Sequence, residues 1–116
     1  MIEDLDELTA ISPLDGRYAR HTQGLRLLVS EYGLIRARCI VELRWFQHLA
    51  ATSTIPELPP LSKKQSESIE KVITKFSLKD AKKVKSLEAR SNHDVKAVEY
   101  LIKDKIAAID GLSPFS

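Results

Sequence analysis

Apolar positions recur at helical spacing along most of this chain, and the breaks between them are sharp. From Thr22 to about Val29 the pattern predicts a first helix. Ser30 is placed to cap a second, longer helix that runs to about Ala51. On a wheel of about 100° per residue, Tyr32, Leu34, Ile35, Cys39, Leu43, Trp45, Phe46, Leu49 and Ala50 fill an arc of roughly 180°. That arc is wide for a helix covering one face of a small domain. Arg38 and Glu42 fall inside it at i, i+4 spacing, which predicts that they pair with each other. Either the pair marks the edge of the core, or the helix is covered on two sides, by its own domain and by further protein.

The segment Ser53–Ser62 reads as a loop, because Pro56, Pro59 and Pro60 remove backbone donors and stop a helix. A third helix is expected from Ser62, with Gln65 completing a capping box and Ile69, Val72, Ile73 and Phe76 forming a narrow stripe. Ser77 and Asp80 repeat that start signal for a short helix through about Glu88. The last helix begins near Asn92 to Asp94. Its stripe is Val95, Val98, Leu101, Ile102, Ile106 and Ile109, and Gly111 with Pro114 closes it. Residues 1–20 lack periodicity and hold the Pro13 and Asp15-Gly16 turn signals, so they read as an extended arm with a turn. No strand alternation is sustained. The fold class is mainly α, a small helical domain of about four to five helices with an extended N-terminal arm. The chain is either a complete small bundle over residues 1–116 or the first domain of something longer.

Composition changes this picture little. The chain has 116 residues, 43% hydrophobic and 29% charged, with a formal net charge of +2. That charge is too mild to imply nucleic acid, though it suits a small anionic ligand held by a few placed cations. No apolar run approaches the roughly 18 residues of a membrane span, and the acidic start lacks the order of a secretory signal. The single cysteine, Cys39, excludes an intrachain disulfide and reads as a buried thiol in a reducing compartment. The cytoplasm is the expected location.

Two stretches carry candidate chemistry. Around the start of the last helix stand Arg90, Asn92, His93, Asp94 and Lys96. A helix N-terminus offers free N–H groups and partial positive charge, which favours anions. Asn92 or Asp94 would serve as the cap, and capping and a ligand site both remain open on spacing. The second stretch is Ser12–Tyr18, "SPLDGRY", where Arg17 offers multidentate donors suited to phosphate or carboxylate and Tyr18 a phenolic donor. The lysines of Lys79–Lys85 read as a solvated face. His21, His48 and His93 have no metal-ligand spacing with one another or with Cys39, so no metal is expected. Trp45 reads as packing, and no phosphate loop, dinucleotide fingerprint or nucleophile elbow appears, so no cofactor is expected.

"LTAISPLDGRY", then "SEYGLIRARCIVELRWFQHLA", then "SNHDVKAVEYLIKDK" together resemble the N-terminal region of the adenylosuccinate lyase family in its bacterial form. The resemblance runs in order from Leu8 to about Ile109. It implies the N-terminal domain of an all-α enzyme of the L-aspartase/fumarase type. It further implies a β-elimination that releases fumarate from adenylosuccinate, giving AMP, and from the succinylated carboxamide intermediate of purine synthesis. It assigns Arg17 and Tyr18 to the nucleotide phosphate, and Asn92, His93 and Asp94 to substrate contact, with His93 helping to orient the catalytic apparatus. No role passes to Arg90 or Lys96. The family's catalytic histidine, its mobile-loop serine and its long central helices have no counterpart here, so the chain alone is expected to be inactive, with no catalytic residue of its own. The resemblance also implies a homotetramer with shared active sites; the mild charge and the lack of a long apolar run lead to neither nucleic acid nor membrane being expected as partner. A different class, a stand-alone helical interaction module without catalysis, is the alternative. The lyase reading needs Arg17 and His93 to converge on one anion pocket, within a subunit or between subunits.

Overall fold

A computed structural model describes residues 4–116, so the first three residues of the expected arm lie outside the described residues. The chain divides into two compact units, one ending at Leu34 and the other running from Ile35 to Ser116.

In the first unit, residues 4–18 form successive tight turns rather than an extended arm. Short polar side chains satisfy nearby backbone groups and coil the segment on itself. The Asp6 carboxylate accepts from the Leu8 and Thr9 N–H groups. The Asp15 carboxylate accepts from the Ser12 N–H, and the Ser12 hydroxyl from the Leu14 N–H. The helix expected over Thr22–Val29 is broken into α1 (Ala19–Thr22), a 3-10 turn (Gln23–Leu25) and α2 (Arg26–Val29). Gly24 sits at the break, where glycine costs about 1 kcal/mol relative to alanine in a helix interior. Among the described residues of this unit no large apolar side chain is buried. Leu5, Leu8, Ile11, Leu14, Leu25, Leu27, Leu28 and Val29 are all more than half exposed.

The long helix α3 (Glu31–Ala51) starts as its sequence requires, with the Ser30 hydroxyl accepting from the Gly33 N–H at 3.1 Å. The second unit is built from the rest of α3 with α4 (Lys63–Thr74), α5 (Leu78–Ser91) and α6 (Asp94–Ala107). Ser62 and Gln65 form the reciprocal capping box of α4. At α5 the Ser77 N–H donates to the Asp80 carboxylate at 3.0 Å, and the helix runs three residues past Glu88 to Ser91. The segment 52–62 is irregular, as its prolines dictate.

A two-residue turn joins α5 to α6, and the Lys105–Asp80 ion pair at 3.0 Å closes the other end, so these helices form an antiparallel hairpin. Alongside, α3 runs in the same sense as α6: Arg38 meets Asp94 at one end, while Trp45, Phe46 and Leu49 border a groove with Ile102 and Ile106 further on. The Gln65 amide donates to the Asp110 carbonyl and ties the start of α4 to the end of α6. There Gly111 takes a left-handed φ of 82°, open to glycine at no steric cost. The core collects Ile35, Cys39, Leu43 and Ala50 from α3, Ile69 and Ile73 from α4, Ala81 and Val84 from α5, and Ala97, Val98, Leu101, Ile102 and Ile106 from α6. Burial, with the Asp80 and Glu42 carboxylates nearby, pushes the Cys39 thiol up to about 12, so it stays protonated at neutral pH.

Two expectations for α3 are corrected. Arg38 does not turn to Glu42; its guanidinium crosses to Asp94 on α6 at 3.0 Å. Asp94 offers the guanidinium a carboxylate already held in place at a helix start. Trp45 is not a core residue: its side chain is 56% exposed and stacks on His48 with ring centroids 5.6 Å apart. Val41, one turn earlier, is also exposed, so α3 buries one face and leaves a second apolar strip bare.

Three carboxyls that bridge elements are held below the usual range. Hydrogen bonds from Arg44 and Gln47 lower Glu70, and those from Arg38 and the Val95 N–H lower Asp94. For Asp80 burial pulls upward, but hydrogen bonds from Lys105 and Ser77 outweigh it. A carboxyl lowered on folding adds stability that is complete above its unfolded value and is lost as pH falls through its folded value. Urea midpoints are therefore expected to be flat around neutrality and to fall on acidification below about pH 4. Asp80→Asn should flatten that acid limb. An acid limb unchanged in the variant would remove Asp80 as a cause.

Candidate functional site

The candidate residues fall in two places, one in each unit. In the first, the turns of Ser12–Tyr18 bring the chain round so that the Tyr18 N–H donates to the Pro13 carbonyl at 2.9 Å. Gly16 stands here for want of space, not for an unusual φ. A Cβ at Gly16 would lie 2.7 Å from the Glu7 carbonyl oxygen. The turn thus needs Asp15 to hold it and Gly16 to let an earlier strand of chain pass. It delivers Arg17 and Tyr18 to the surface, both exposed, with the guanidinium carbon 4.8 Å from the Tyr18 ring centroid. A guanidinium at this distance is attracted to the ring face. One helical turn on, the Arg20 Nε–H donates to His21 Nε2 at 3.4 Å, and the His21 ring lies 6.2 Å from that of Tyr18. Arg20 and His21 therefore stand beside Arg17 and Tyr18, although spacing had singled out neither. A cavity of about 410 Å³ in the same unit is lined by Ile11, Leu14, Leu25 and Val29 with Thr22 and Arg26 at its edge. Arg17 and Tyr18 do not border it, and its apolar wall suits a hydrocarbon surface rather than a phosphate.

In the second unit, Asn92 and His93 make up the α5–α6 turn and Asp94 opens α6, and each has a distinct backbone task. Asn92 ends α5 in the left-handed region at φ 54°, a conformation asparagine tolerates better than most residues. The cap of α6 is neither Asn92 nor Asp94 but His93. Its Nδ1 accepts from the Lys96 N–H at 3.2 Å. Asp94 is the first helical residue, and its Oδ1 accepts from the Val95 N–H at 2.8 Å. Two of the N–H groups expected to be free for an anion are thus already satisfied by the helix's own side chains. What the turn presents instead is the imidazole. With Nδ1 accepting, the neutral ring carries its hydrogen on Nε2, and the His93 side chain is 65% exposed. Its Nε2–H is a directional donor.

Asp94 is shared. Its Oδ2 takes Arg38 at 3.0 Å, while its Oδ1 lies 4.0 Å from His93 Nδ1. Arg38 is a member of this cluster that sequence reasoning assigned elsewhere. Arg90 is exposed, and Lys96 pairs with Glu99 at 2.7 Å, leaning over the Tyr100 ring. Among the described residues no group of three His, Cys, Asp or Glu side chains is placed to hold a metal ion, and no helix is long and apolar enough to cross a membrane.

Comparison with known proteins gives a consistent result. The chain is 47% identical over 109 residues to an adenylosuccinate lyase of Vibrio cholerae, a match covering 94% of this chain and 24% of that protein. It is 44% identical over 113 residues to the adenylosuccinate lyase of Escherichia coli K12, covering 97% of this chain and 25% of that protein. The adenylosuccinate lyase of Legionella pneumophila strain Corby is 48% identical over 101 residues, covering 87% and 22%. This chain spans about a quarter of the length of these relatives. No family model matches it.

Proposed function

We propose, from the premise that this chain is a relative of the adenylosuccinate lyases over nearly its whole length, that it supplies substrate-binding residues to such an enzyme. The reaction is the elimination of fumarate from adenylosuccinate, giving AMP, and from the succinylated carboxamide ribotide of purine biosynthesis. A base removes a proton beside one carboxylate, the electron pair forms the new C=C bond, the C–N bond breaks, and an acid protonates the leaving nitrogen. The substrate brings a phosphate and two carboxylates, so the site needs fixed cations and donors more than covalent chemistry. Arg17, with Tyr18 beneath it, is assigned to the phosphate. His93, through its outward Nε2–H, is assigned to the succinyl end, with Asn92 and Asp94 shaping the turn that holds it. The acid and base come from elsewhere in the enzyme, so this chain alone has no lyase activity. The enzyme acts in the cytoplasm as a homotetramer with active sites shared between subunits.

The observation that carries this reading is the extent of the match, about nine-tenths of this chain against a quarter of each relative. The first unit adds physical support. Its large apolar side chains are worth about 1.5–3 kcal/mol each when buried, yet among the described residues none is covered. Leu8 and Ile11, 94% and 97% exposed, belong to an apolar surface of the kind that further protein covers.

Arg17→Ala in the complete enzyme is expected to raise KM for adenylosuccinate at least about tenfold, in line with the roughly 1.5–3 kcal/mol of a charge-assisted hydrogen bond. Lys79→Ala, on the exposed lysine face, should leave it within about twofold. Steady-state kinetics on the two variants provides the check. Equal, small effects would refute the phosphate role.

A further inference from the structure

Arg38 sits on α3 and the candidate turn begins α6, yet one ion pair joins them. We propose that Arg38 is a positioning residue for His93, acting through Asp94 to hold the first turn of α6 and the orientation of the His93 ring. This rests on the reading of His93 as a substrate contact.

The geometry sets out the chain of contacts. Arg38 Nη1 donates to Asp94 Oδ2 at 3.0 Å, and Asp94 Oδ1 is engaged by the Val95 N–H at 2.8 Å. Both oxygens of the carboxylate are therefore occupied, one by the neighbouring helix and one by the start of its own. The next residue back, His93, holds the Lys96 N–H on Nδ1 at 3.2 Å. Without Arg38, Asp94 would be free to turn its charge on His93 Nδ1, now 4.0 Å away. A carboxylate there favours a proton on Nδ1, which cannot then cap the helix. The ring would rotate or change tautomer, and its outward Nε2–H would be lost. Arg38 neutralises the competing carboxylate and holds the ring by default.

Stability alone is a poor reason for this pair. The Arg38 and Asp94 side chains are 33% and 53% exposed, and ion pairs this open contribute little. Between α3 and α6 the apolar side chains of the core, Ile35, Cys39 and Leu43 with Val98, Leu101 and Ile102 among them, supply the burial that holds helices together. The Arg38 pair differs in touching the one turn that presents His93.

Two measurements test the proposal. The first is 15N NMR of the imidazole ring in this chain at neutral pH, in wild type, Arg38→Ala and Arg38→Lys. Wild type should show the Nε2–H tautomer with Nδ1 unprotonated. Arg38→Ala should move His93 toward averaged ring shifts while leaving His21 and His48 and the thermal midpoint nearly unchanged, and Arg38→Lys should restore part of the wild-type signature. Identical His93 ring signals in wild type and Arg38→Ala would overturn the proposal. The second is kinetics in the complete enzyme. Arg38→Ala should lower kcat about tenfold with KM changed less, and should add nothing further in a His93→Ala background. A full tenfold loss in that background would show that Arg38 acts by another route and would also overturn the proposal. Should His93→Ala itself be silent, the substrate-contact reading fails, whereas the ring signals still report whether Arg38 positions the imidazole.

Discussion

His93→Ala in the complete enzyme is expected to lower kcat by about 10²–10³, or roughly 2.7–4 kcal/mol of transition-state stabilisation, as for the loss of one preorganised donor. The structure adds a complication. His93 is also the cap of α6, its Nδ1 accepting from the Lys96 N–H. Alanine therefore removes a cap as well, at a cost of about 1 kcal/mol in stability. The two losses separate in His93→Asn and His93→Asp. Both side chains cap helices well, but neither reaches outward with an imidazole N–H. Both variants should recover the thermal midpoint of wild type and remain about 10²-fold slow. Recovery of rate together with stability would mean that His93 serves only the helix. Kinetics and thermal melts on the three variants give the answer.

The other large effect lies in the core. Ile69 is wholly buried and Leu43 nearly so. Either truncated to alanine should cost about 2–5 kcal/mol, from lost transfer energy and a cavity that four packed helices cannot close. A domain of this size has only about 5–15 kcal/mol to lose. Urea unfolding of this chain should show a sharply lowered midpoint with an unchanged slope. Trp45→Ala, which removes a larger but half-exposed side chain, should cost much less. An equal loss for Trp45→Ala would mean that its strip is covered in solution.

Several elements were legible because their signals are local. Ser30 caps α3, and Ser62 with Gln65 caps α4, through bonds spanning three residues. Such pairs can be read directly from spacing. The same holds for most of the α6 stripe, where Val98, Leu101, Ile102 and Ile106 are buried as their periodicity requires, whereas Val95 in the first turn is exposed and Ile109 beyond the helix is half-buried. Where local rules competed, reading was less secure. Thr22–Val29 has helical spacing, but Gly24 and the Thr22 hydroxyl, bonded to the Leu14 carbonyl at 2.9 Å, break it into short turns. At the α5–α6 turn, Asn92 and Asp94 are better caps by residue type than His93. Asn92 was already committed to ending α5, and Asp94 to the first helical position and Arg38.

By itself the sequence determined the helical class, most helix starts and the kinship of the chain, because caps, periods and motifs are properties of neighbouring residues. Tertiary structure alone decided what Arg38 holds, since its partner lies 56 residues away and the nearer Glu42 was an equally good charge. It decided too that Trp45 faces outward and that Gly16 is needed for a close passage of chain. Each depends on where distant backbone comes to lie, and spacing along the chain carries no record of that.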